Sequence, residues 1–252
     1  MPRTLAAAAR GLFFVGLVAL AFLACRPGTA AAQANPHAPG WIADRNGCKL
    51  WDAYPEAGES VEWSGGCSDG FASGAGVAEW RLDERLSGHY EGGYKVGRMD
   101  GHGVFTYDSG NRYDGEWHAD RRNGHGSYSW SNGDRYEGEW KNSKENGRGV
   151  LVRANGERYE GDFKGGLWDG EGVYTLADGG RYEGHFVAGL PEGTGTYRDA
   201  KGATYIGTWR KGCYRWVPPR IVQDFSGQQM RVAGETSRSR SAALGVDPAS
   251  CR

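Results

Sequence analysis

From about residue 85 to residue 215, rings and glycines share alternate positions of short segments, with charged residues in between. In YEGEW (136–140) the rings stand at the first and fifth positions, glycine at the third, and acids at the second and fourth. A period of two puts ring, glycine, ring on one face of a strand and the acids on the other. The glycine leaves room for a neighbouring ring to lie across the backbone. Helices are excluded, because each glycine in a helix interior costs about 1 kcal/mol relative to alanine. Turn signals follow each segment: Asp100-Gly101, Asn123-Gly124, Asn146-Gly147, Asp169-Gly170 and Glu192-Gly193. Such pairs supply the positive φ of tight hairpins, so the chain is expected to reverse there. Return strands such as GVFTY and GSYSW then lead to a second turn at Asn132-Gly133, Asn155-Gly156 or Asp178-Gly179.

The pattern is periodic. The segments YEGGY, YDGEW, YEGEW, YEGDF, YEGHF and YIGTW begin at Tyr90, Tyr113, Tyr136, Tyr159, Tyr182 and Tyr205, at steps of 23 residues. G-x-G recurs in phase from Gly101 to Gly193, as does the turn glycine from Gly110 to Gly202. A degenerate copy precedes them, with WSG at 63–65 standing 11 residues before Gly74, the offset that separates Tyr90 from Gly101. The register then slips by four residues within EWRLDERLSGHY. The array therefore runs from Trp63 to about Lys211, with an insertion in its first unit. Residues 35–62 form an N-terminal cap segment, and 212–252 a C-terminal cap with a loosely ordered tail.

The Y-[ED]-G-x-[WF] core followed by G-x-G at 23-residue spacing resembles the MORN repeat family. The resemblance implies an all-β protein: an elongated, twisted, single-layer antiparallel sheet with one hairpin per repeat. The flanking segments CKLWDAYPEAGESVEWSGGC, GCYR and GVDPASC resemble the ends of bacterial exported MORN proteins. Each unit of such an array needs its neighbours and its ends need caps. At about 4.8 Å per strand, the array would be on the order of 60 Å long.

The first 34 residues stand outside this pattern. Arg3 and Arg10 precede the apolar run Leu12–Ala24, and Ala32 and Ala34 make an A-x-A site, the layout of a secretory signal cut after Ala34. The run is short of the roughly 20 residues of a membrane span. Acylation at Cys25 is the competing reading, which Phe22 and Leu23 fit poorly; a soluble periplasmic or extracellular protein is expected. The cut removes three arginines and no acid, leaving 27 basic against 31 acidic residues, a net charge of −4. That argues against nucleic acid as partner. Four cysteines remain, and an even count in an exported chain reads as disulfides. Of the three connectivities, Cys48–Cys67 with Cys213–Cys251 is preferred, since each pair is local and brackets one end of the array. Zinc is the alternative, without any C-x-x-C to support it. Glycine is abundant, 43 of 252 residues, but the 10 Trp, 13 Tyr and 8 Phe set the chain apart from disordered sequences.

Catalytic constellations are not found. His102 and His125 occupy one repeat position, so they should lie two strands apart, about 9–10 Å, too far to share a zinc; they read as exposed turn histidines. Glu137, Glu160 and Glu183, and likewise Glu116, Glu139 and Asp162, form ladders at the same spacing. Their separation alone would suit an inverting glycosidase. Their recurrence on an open face reads instead as a solvated surface that discourages aggregation. There is no G-x-S-x-G and no H-E-x-x-H. The G-x-G turns lack the Lys-Ser/Thr of a phosphate loop, and Cys213 reads as a bridge rather than a nucleophile. No enzyme, metal or cofactor is expected.

The aromatic stripe is the candidate interaction surface: Tyr113/Trp117, Tyr136/Trp140, Tyr159/Phe163, Tyr182/Phe186 and Tyr205/Trp209. The competing reading makes it the core, layered with Phe105, Tyr128, Tyr174 and Tyr197. A single-layer sheet leaves some apolar surface open, and open aromatic patches mark interaction sites. Two functions follow: a scaffold that binds a protein partner or itself along the sheet, as the family resemblance implies, or a binder of cell-wall glycan or membrane-lipid headgroups through the aromatic face.

Overall fold

The computed structural model describes residues 39–215. The expected signal segment, Cys25, and the tail with Cys251 lie outside them. The described residues hold seventeen strands and no helix. At the N-terminal end are β1 (Gly40–Ala43), β2 (Lys49–Asp52), β3 (Glu59–Trp63), β4 (Gly66–Ser68), β5 (Phe71–Leu82) and β6 (Arg85–Lys95). The regular repeats supply β7 (Arg98–Tyr107), β8 (Arg112–His118), β9 (Arg121–Ser129), β10 (Arg135–Lys141), β11 (Lys144–Val152) and β12 (Arg158–Lys164). Then come β13 (Leu167–Thr175), β14 (Arg181–Val187), β15 (Leu190–Arg198), β16 (Thr204–Arg210) and β17 (Cys213–Arg215). From β5 onward each strand pairs antiparallel with the next in one open sheet.

The tight turns lie elsewhere than the Asp/Asn-Gly pairs suggest. The chain reverses at Val96-Gly97, Ala119-Asp120, Asn142-Ser143, Gly165-Gly166, Ala188-Gly189 and Lys211-Gly212, with both residues of every pair at positive φ. These are two-residue turns of the type that matches strand twist. The Asp/Asn-Gly pairs instead sit inside the return strand, in a bulge. Gly115 faces Gly126 and Trp117 faces Arg122, so the single residue Glu116 opposes Asn123, Gly124 and His125. The positive φ that marked Gly124 as a turn, +79°, is spent on the bulge. The second turn is where the pattern placed it: Gly133 N–H donates to the carbonyl of Trp130, and Trp130 N–H to that of Asp134.

The degenerate copy at Trp63 packs in the manner of the regular units. The Trp63 ring lies over Gly65 and Gly76, and its indole N–H donates to Gly66 O at 2.8 Å. The four-residue slip lengthens the β5–β6 hairpin, which reverses at Asp83-Glu84.

In front of the array, the β1–β2 hairpin lies against the first tight turns. Lys49 N–H donates to Gly70 O and Trp51 N–H to Gly97 O. The Cys48–Cys67 disulfide ties the residue before β2 to β4, with Cα atoms 5.8 Å apart. Closing a loop of this length contributes about 3 kcal/mol in the chain-entropy account. Cys213 is also disulfide-bonded; the expected partner, Cys251, falls outside the described residues.

Candidate binding surface

The aromatic stripe is the interior of the sheet's packed face. Tyr113, Trp117, Tyr136, Trp140, Tyr159, Phe163, Tyr182, Phe186 and Trp209 are buried, and Tyr205 is partly buried. Apart from Tyr205, which stacks on Tyr197, each tyrosine ring lies across the glycine pair of its own hairpin, as Tyr136 does over Gly138 and Gly149. Its hydroxyl then donates to the carbonyl three residues on: Tyr113 to Glu116, Tyr136 to Glu139 and Tyr159 to Asp162, at 2.9–3.0 Å. Burial pushes these phenols well above their ordinary pKa, so they remain protonated donors.

The ring at the fifth position reaches back one repeat. Trp140 Nε1–H donates to Gly126 O at 3.1 Å, and its ring stands edge-on to both Tyr113 (5.4 Å) and Tyr136 (5.1 Å). Phe163 stands likewise between Tyr136 and Tyr159, and Phe186 between Tyr159 and Tyr182. The result is a continuous zipper of near-perpendicular rings in which contacts within one strand alternate with contacts to the preceding repeat. Each such pair contributes about 0.5–1.5 kcal/mol beyond its buried area. Side chains at a variable position cover the zipper: Arg122 lies over Trp140 at 4.4 Å, and Trp168 stacks on Tyr159 at 4.3 Å. Phe105, Tyr128, Tyr174 and Tyr197 flank it, as layered packing requires. A stripe consumed in this way leaves only Tyr205 partly open to a partner.

The opposite face is polar and splits the two acid ladders into different roles. Glu116, Glu139 and Asp162 are clamps. The bulge turns one backbone N–H out of the hairpin ladder, and the lone acid across from it accepts that bond: His125 N–H to Glu116, Arg148 N–H to Glu139, Glu171 N–H to Asp162, at 2.8–2.9 Å. The second ladder is paired with arginines. Arg112–Asp114, Arg135–Glu137, Arg158–Glu160 and Arg181–Glu183 approach to 2.6–3.2 Å. The Arg two positions before each acid recurs every 23 residues as R-Y-[DE]-G. That signal was present in the sequence, and the reading of acids alone passes over it.

Between these rows an open groove of about 830 Å³ runs over Gly115, Gly126 and Gly138. Its walls carry His102, Asp114, His125, Arg135, Glu137 and Arg158, with Val150 and Val152 as the apolar part. His102 and His125 are exposed strand residues at the bulges rather than turn residues. His102 Nε2 lies 3.3 Å from Asp114. No group of three or more His, Cys, Asp or Glu able to hold a metal occurs among the described residues.

A family model described as MORN repeat matches residues 90–112, 113–135, 136–158, 159–181 and 182–204. No curated protein matches the chain.

Proposed function

Since the chain belongs to the MORN repeat family over residues 90–204, we propose that it is an exported, non-catalytic scaffold that holds a protein partner, or a second copy of itself, along the polar face of its hairpin sheet. MORN repeats are in general protein- or membrane-binding modules. The observation that carries this reading is the groove over Gly115, Gly126 and Gly138. Its walls alternate Arg135 and Arg158 with Asp114 and Glu137 beside two valines. Mixed charge around a small apolar floor suits a polypeptide, which presents both signs and aliphatic side chains together. The glycan reading needed open rings for stacking, and nine of the ten rings in the stripe are buried.

Export to the periplasm or cell exterior is supported by the Arg3–Ala34 layout and by the Cys48–Cys67 disulfide, a bond favoured in oxidising compartments. The test compares the mature protein with an Arg135→Glu/Arg158→Glu variant in affinity capture from periplasmic extract and in sedimentation velocity. Wild type is expected to retain a specific protein or to self-associate, and the variant to lose this with an unchanged thermal melt. Retention by the variant at the wild-type level would contradict the groove as the site.

A further inference from the structure

The strand ends beside the two-residue turns form a file of cations. Register pairs Lys95 with Arg98, His118 with Arg121, Lys141 with Lys144, and Lys164 with Leu167. Lys95, Arg121, Lys141, Lys144 and Lys164 are all exposed, and successive turns stand two strands apart, about 9–10 Å. Arginines further inside the face are neutralised by their acids. The edge file is not. Among the described residues no lysine enters a salt bridge, and Arg121 reaches only the neutral amide oxygen of Asn142, at 3.5 Å. Most acids around the file hold other partners: Asp120 with Met99 N–H and Arg98, Asp100 with His118, Asp162 with Glu171 N–H and Arg148, and Glu116 and Glu139 with their bulge N–H groups; Glu145 lies beside the Gly165-Gly166 turn.

The opposite edge differs in pattern: its three-residue turns interleave Asp108, Asp134, Glu157, Asp178 and Asp199 with Arg135, Arg153, Arg158, Arg198 and Lys201, and Arg153 is paired with Glu157. A flat surface of headgroups laid on this face would press on the exposed Glu137, Glu160 and Glu183 a few residues inward. A single chain need follow only the edge.

The geometry points to a second ligand surface: the file of Lys95, Arg121, Lys141, Lys144 and Lys164 takes a linear anionic polysaccharide laid across the strand ends. Regularly spaced cations on a rigid sheet let one chain make several weak contacts at once, each raising the effective concentration for the next. The contacts are solvent-exposed and weaken as salt screens them. This surface uses none of the groove-lining residues, so either can fail without the other.

The test titrates the purified mature protein with alginate at low and high salt, beside vesicles containing anionic phospholipid. Wild type is expected to bind alginate at low salt and to lose affinity as salt rises. Lys141→Glu/Lys144→Glu should weaken binding about tenfold or more, whereas Lys201→Glu on the opposite edge should stay within about twofold. Thermal melts confirm that both variants fold. Unchanged alginate binding in the double variant, or no binding by wild type, overturns the proposal. So does binding of vesicles but not alginate through the same lysines, which would make the file a bilayer contact.

Discussion

Tyr136 shows how little freedom a single position in the repeat retains. Its ring fills the space above Gly138 and Gly149, and a Cβ at Gly149 would stand 2.5 Å from its hydroxyl oxygen. Gly149→Ala therefore displaces a buried ring and should cost about 2–3 kcal/mol in chemical denaturation; a loss under 0.5 kcal/mol, the size of an ordinary surface change, would mean the ring is free to move. This much the alternation of ring and glycine announced. Glu59 was not legible. It stands at the start of β3, and burial together with a hydrogen bond to Asp52 pushes its pKa from 4.5 up to about 7. Asp52 Oδ2 is buried with no other donor beside it, so a proton on Glu59 supplies that bond. The folded state holds that proton between pH 4.5 and 7 while the unfolded chain has lost it. Stability should therefore fall as pH rises through this window and level off above it. Glu59→Gln keeps a donor and removes the titration, so its melting temperature should be flatter between pH 5 and 8 than that of wild type. Parallel slopes would place the titrating group elsewhere.

At the level of the hairpin, the sequence was ambiguous for a physical reason. Positive φ suits both a tight turn and a bulge, and Asn123-Gly124 carries that signal equally for either. The actual turns run from Val96-Gly97 through Ala119-Asp120 and Asn142-Ser143 to Ala188-Gly189 with no common pair, because the twist of the flanking strands and the zipper beneath them impose the conformation. Ala119 and Ala188 adopt φ of 48° and 49° there, at a cost of roughly 1 kcal/mol each. Replacing Ala188 with Asn, which tolerates this region, should stabilise the protein by about 0.5–1 kcal/mol; a neutral or lower melt would show that the turn is not strained. The bulge clamp gives an opposite expectation. Glu139→Ala leaves Arg148 N–H without its acceptor and should cost about 1 kcal/mol, with faster amide exchange at Arg148.

Across the whole array, stability passes from neighbour to neighbour, since Trp140 touches Tyr113 and Tyr136 and Phe163 continues the chain of contacts. The N-terminal end is held by the Cys48–Cys67 disulfide and by Arg98, stacked on Trp51 at 4.1 Å. The sequence disclosed the repeat and its two faces, one of rings and one of charged residues. It did not disclose which face stays open, because periodicity alone cannot tell a stripe of rings that packs against itself from one that waits for a ligand. The most direct test is the thermal melt of Trp140→Ala. A ring that is 3% exposed and bonded to two repeats should cost about 3–5 kcal/mol on removal, lowering the melting temperature by roughly 10 °C. A melt within about 2 °C of wild type, with partner binding lost, would make the ring a contact surface and overturn the assignment of binding to the polar face.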